Sequence, residues 1–151
     1  MTGESWQPPP PIEAAVVGWP GPRRPLPDER PSITHAFDIL AVPPGGFEPI
    51  KSKFYLNVGL YENGQPGELF VTIRNDQGMI RGLLDAMATM ASIALQHGAP
   101  LDSICSKLTG HQFYPGGMTS NPDIPRCGSP LDYIGRYLLL RFPPPKKADH
   151  A

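Results

Sequence analysis

At residue 75 the hydrophobic period of this chain changes from two to between three and four, and that switch limits the fold more than any other feature. Before it, Phe54, Leu56, Val58 and Leu60 alternate with Tyr55, Asn57, Gly59 and Tyr61, the mark of a half-buried strand. Asn63-Gly64 is a turn pair that accepts positive φ, and Pro66-Gly67 lengthens the loop. Leu69, Val71 and Ile73 then alternate with Phe70, Thr72 and Arg74, so the pattern predicts an antiparallel hairpin. After the switch, Ile80, Leu83, Leu84, Met87, Met90, Ala91, Ala94 and Leu95 recur at helical spacing and predict an amphipathic helix over 77–97, laid on the sheet. Met79, Met87 and Met90 are read as core. Asp76 is placed to cap the start of the helix, Gly98 its end, and Pro100 opens the next one.

Proline sets the other boundary. Twelve of the 21 prolines precede Lys51, and Pro8 to Pro11, Pro20, Pro22, Pro25, Pro27 and Pro31 forbid regular helix or central strand. Residues 1–31 therefore read as an extended arm, with its later half a strap over the domain. A strand over His35–Val42 starts the folded region, which runs over 32–142, and 143–151 form a polar tail. Leu101, Ile104, Cys105 and Leu108 form a second helical stripe ended by Gly110, with Cys105 in the core. Residues 111–128 read as a long irregular loop. Ser129, Pro130 and Asp132 then mark the start of a last helix, as in a capping box with Asp in place of Glu. The fold class is α+β: a small antiparallel sheet of about three strands, one long helix and two shorter ones.

The formal net charge of -1 argues against a broad grip on nucleic acid. No apolar stretch approaches the ~18 residues that span a membrane. The first residues carry no secretion signal pattern, so the expected location is the cytoplasm and the two cysteines are expected to be reduced.

The string FYLNVGLYENGQPGELFVTIRNDQG, residues 54–78, resembles the opening of the TSCPD domain of adenosylcobalamin-dependent ribonucleotide reductases. Ser92 to Gly98, Leu101 to Gly110, the Phe113-x-Pro-x-Gly loop and the Ser129-Pro130 helix start are similar to the rest of it. The likeness covers roughly residues 30–140. The family's namesake Ser-Cys-Pro-Asp stands here as Cys127-Gly128-Ser129-Pro130-Leu131-Asp132, with no Cys between Ser and Pro. The resemblance implies a place in deoxyribonucleotide synthesis, a cobalamin-dependent reductase chain as partner, and adenosylcobalamin bound by that partner and not by this chain. It gives the name ribonucleoside-diphosphate reductase, but a chain with two cysteines and no room for a barrel is expected to be inactive alone.

Site candidates gather around the long loop. Gly116 and Gly117 allow close backbone approach, Ser129 opens a helix, and Arg126 and Arg136 supply charge, which together would suit a nucleotide or other anion. His111, Tyr114 and Cys127 complete the candidate surface for a ligand or partner. No catalytic set is identified. Cys105, His111 and Cys127 lack the close pairing of a zinc site, so no metal is expected. Cys127 as a redox thiol, and a free-standing interaction or anion-binding module with no reductase role, are the alternatives.

Overall fold

The computed structural model describes residues 19–74 and 78–145. The Asp76 cap, the arm before Trp19 and the tail after Pro145 lie outside the described residues. Among the described residues, five antiparallel strands form one sheet: β1 (Ser32–Ala41), β2 (Ile50–Leu60), β3 (Pro66–Ile73), β4 (Gly117–Thr119) and β5 (Arg126–Cys127), in the order β3-β2-β1-β4-β5. Among the described residues, three helices follow the expected pattern: α1 (Met79–Gln96), α2 (Leu101–Leu108) and α3 (Pro130–Arg141). The class is α+β, as the sequence implies.

The strand count differs from three because the 111–128 stretch is not irregular throughout. Thr119 and Met118 pair with Ile39 and Leu40 on the edge of β1, and Gly117 and Met118 pair with Cys127 and Arg126. Strands of three and two residues carry no readable alternation. They form where the β1 edge offers unpaired N–H and C=O groups, and they cover part of that edge.

One face of the sheet is the core. Phe37, Ile39, Phe54, Leu56, Val58, Leu69, Val71 and Ile73 all lie on it and are buried. Each such side chain contributes about 1.5–3 kcal/mol on burial. Helix α1 lies against β3 and buries Leu84, Ala88, Ala91 and Leu95. Of its methionines, Met87 packs against this core, whereas Met79 and Met90 do not join it. Met79 is 78% exposed and Met90 67%, with Leu83 at 62%, because these residues lie to the side of the stripe that meets the sheet. Helix α3 brings Tyr133 face to face with Phe37 at 3.9 Å, and Phe37 stacks in turn on Phe54 at 5.1 Å. Cys105 is fully buried where α2 meets α3.

Residues 19–31 lie along the domain. Gly21 N–H and Arg24 N–H donate to the carbonyls of His97 and Gln96, and the Tyr61 hydroxyl donates to the Arg24 carbonyl. Arg30 then reaches Glu68, a carboxylate buried on the outer face of β3. Gly98 and Gly110 hold φ of +97° and +86°, the left-handed geometry that ends helices α1 and α2.

Candidate functional site

The 111–128 stretch is a hairpin folded against the start of α3. Phe113 N–H donates to the Gly128 carbonyl at 3.1 Å, Thr119 N–H to the Pro125 carbonyl at 3.0 Å, and Ile124 N–H to the Asn121 carbonyl at 3.1 Å. Ile124 is fully buried and plugs the tip of the hairpin into the core.

Asp132 is the tie of this region. Its Oδ1 accepts the Gly110 N–H at 2.8 Å and its Oδ2 accepts the Gly128 N–H at 2.9 Å. Its own N–H donates to the Ser129 Oγ at 3.1 Å, so Ser129 caps α3 as the sequence predicts. The capping box is half made. The carboxylate turns away from the cap and holds the end of α2 and the end of the hairpin instead. Burial alone would raise the Asp132 carboxyl. The two backbone N–H groups and Arg136 at 3.5 Å outweigh it and hold the carboxyl below its ordinary value.

This arrangement occupies the groups that an anion would use. The Gly128 N–H and the Asp132 N–H are taken by Asp132 and Ser129, and a carboxylate stands in the first turn of α3. Gly116 and Gly117 serve backbone packing. A Cβ at Gly116 would stand 2.3 Å from the Gly128 oxygen, and one at Gly117 would stand 2.2 Å from the Leu40 oxygen. Arg136 donates to the Arg126 carbonyl at 2.6 Å. His111 closes the end of α2, with its Nε2 at 2.7 Å from the Lys107 carbonyl. Cys127 is buried, and burial pushes its thiol up despite the N–H groups of Gly117 and Ser129 that favour the thiolate. Tyr114 is packed against the core. Phe113, Met118, His111 and Arg126 are among the residues the region exposes.

Sequence reasoning misses a partly buried polar trio, of which Tyr133 is fully buried. The Tyr133 hydroxyl accepts the Asn121 Nδ2–H at 3.0 Å and meets His35 Nε2 at 2.8 Å, while Tyr137 stacks on the His35 ring at 3.9 Å. Burial holds the His35 imidazole below its ordinary value and raises the Tyr133 hydroxyl. The inward parity of His35, on the same face as Phe37, is the one signal for it. Among the described residues no three of His, Cys, Asp or Glu gather closely enough to hold a metal ion. No described helix is long and apolar enough to cross a membrane.

The TSCPD domain model matches residues 29–141. Curated relatives named vitamin B12-dependent ribonucleotide reductase are similar over most of this chain. One from Rhodopirellula baltica is 44% identical over 122 residues, 80% of this chain and 11% of the relative. One from Streptomyces avermitilis is 36% identical over 129 residues, 85% of this chain and 12% of the relative. One from Bradyrhizobium diazoefficiens is 31% identical over 121 residues, 80% of this chain and 9% of the relative. The chain thus spans about a tenth of the length of these relatives. No solved structure matches it.

Proposed function

Because the chain belongs to the TSCPD domain family, we propose that it is an accessory domain of a vitamin B12-dependent ribonucleotide reductase, acting in deoxyribonucleotide synthesis by binding the catalytic chain. The observation that carries this reading is the fate of the candidate groups. The thiols of Cys105 and Cys127 are buried and pushed up, and the polar groups around Ser129 are engaged within the domain. Reductive chemistry needs a thiolate that substrate can reach. The hairpin instead turns Phe113, Met118 and Arg126 outward, and mixed aromatic, Met and Arg surfaces suit protein contact.

The residues fit a partner's cofactor better than one of their own. His35, His97 and His111 lie on β1, after α1 and after α2, and one ring nitrogen of each is engaged, by Tyr133, Gly21 and Lys107 respectively. The relatives named for vitamin B12 are whole reductases of which this chain matches about a tenth, so in this reading adenosylcobalamin belongs to the partner.

The test is turnover. The purified chain, given a ribonucleoside di- or triphosphate, adenosylcobalamin and a dithiol, should form no deoxyribonucleotide. It should be captured by a reductase chain whose matching region has been deleted, and Arg126→Ala with Arg136→Ala should weaken that capture. Turnover by the chain alone overturns the reading. Saturable binding of a free nucleotide without capture by the reductase would favour an independent nucleotide-binding module.

A further inference from the structure

We infer that the groove between the 19–31 strap and the outer face of the β2–β3 hairpin binds an organic cation, an alkylammonium or guanidinium group, through Glu68. The groove has a volume of about 450 Å³, and Asp28, Glu29, Arg30, Gly59, Glu68 and Phe70 line it. It lies on the opposite face of the sheet from the core and is independent of the reductase reading.

Glu68 is only 4% exposed. Its Oε1 accepts from Arg30 Nη2 at 2.5 Å, while its Oε2 is buried with no hydrogen-bond partner. A buried carboxylate oxygen without a donor is unfavourable, and buried polar atoms are as a rule satisfied. Arg30 is held in place by the Pro27 carbonyl at 3.1 Å, so its guanidinium is already committed. The chain makes room for this carboxylate at a cost to the strand. Gly59 is the register partner of Glu68, and a Cβ there would stand 2.5 Å from the Glu68 Cγ and 2.7 Å from the orphaned Oε2. A glycine inside a strand weakens it and often marks a close approach of this kind.

The surroundings define the ligand. The residues lining the groove include three acids, Asp28, Glu29 and Glu68, and one guanidinium, Arg30, so its net charge favours a cation. Among the described residues no three such groups converge on one point as metal ligands. They ring a groove instead. Phe70, two residues from Glu68 on the same face and 53% exposed, offers a ring to a cation or its methylenes. A small turn of the Glu68 carboxylate would bring Oε2 to an N–H of a ligand in the groove, its carbon chain would lie on Phe70, and the charge of Asp28 and Glu29 would attract it. A free polyamine and a lysine side chain of a partner share this chemistry.

The test is calorimetric titration of the full chain with spermidine and, separately, with a short lysine peptide. Amide shifts of the wild type are followed in parallel by NMR. Saturable binding with shifts at Gly59, Glu68 and Phe70 is expected. Binding of spermidine identifies a free amine as the source, and binding of the peptide alone identifies a partner lysine. Glu68→Gln should weaken binding at least tenfold and Phe70→Ala several-fold. Asp85→Asn, which removes an exposed acid on α1, should change nothing. Binding by neither probe, equal binding by Glu68→Gln, or shifts confined to other regions would overturn the inference. The wild-type shift map decides the matter even where a variant fails to fold.

Discussion

The Asp132 carboxylate accepts the Gly110 N–H at 2.8 Å across 22 positions of sequence, and so ties the end of α2 to the first turn of α3. The same group holds Gly128 at the end of the hairpin. Three segments therefore meet on one side chain. Asp132→Ala should destabilise the fold by about 3 kcal/mol, since two charge-assisted bonds are lost and two amides are left without a partner. Urea unfolding at neutral pH measures it. The folded carboxyl lies below its ordinary 3.8, so its contribution is present above that value and is lost as pH falls through the folded one. Asp132→Asn should flatten the acid limb of stability against pH.

His35 makes a second pH-dependent contribution of the same sign. Its folded value lies below the ordinary 6.5, because burial, with Tyr137 stacked on the ring and Tyr133 beside it, disfavours the imidazolium. The stability it gives is present above about 6.5 and falls as pH drops below that toward the folded value. The urea midpoint should decline between about pH 7.5 and 5.5 in the wild type and decline less in His35→Gln. Equal slopes would contradict this.

Two glycines should respond in opposite directions. Gly117→Ala forces a Cβ to 2.2 Å from a backbone oxygen of β1 and should cost roughly 1–3 kcal/mol or more. Gly82 lies in α1, where an added methyl would meet nothing within 4 Å, so Gly82→Ala should stabilise by about 0.5–1 kcal/mol. Thermal midpoints of the two variants check both.

Neither thiol should react in the folded state. Burial pushes Cys105 up to about 12, with Asp102 adding to the shift, and burial raises Cys127 as well. Labelling by a thiol reagent at about pH 8 should be slow and should accelerate together with unfolding. Rapid labelling of Cys127 would revive the redox reading.

The hairpin, the long helix and the last helix are legible in the sequence because each carries its own local pattern, a repeated period or a cap. The strands β4 and β5 are not, since their pairing depends on the edge of β1. Ser129 is readable as a cap because capping is local. The use of Asp132 is not, since Gly110 approaches it only in the folded chain. Glu68 is hidden for a related reason. A glutamate on the polar face of a strand reads as solvated, yet in the folded chain it is buried over Gly59 and paired with Arg30 of the strap. Met79 and Met90 read as core yet lie exposed, because helical spacing alone does not say how wide the covered stripe is.

Calorimetric titration of this chain into a vitamin B12-dependent reductase chain lacking its own matching region bears on the accessory role without an intermediary. A saturable one-to-one complex is expected, weakened when Phe113, Arg126 and Arg136 are replaced by alanine. No complex at any accessible concentration, or a complex indifferent to those three changes, would contradict that role.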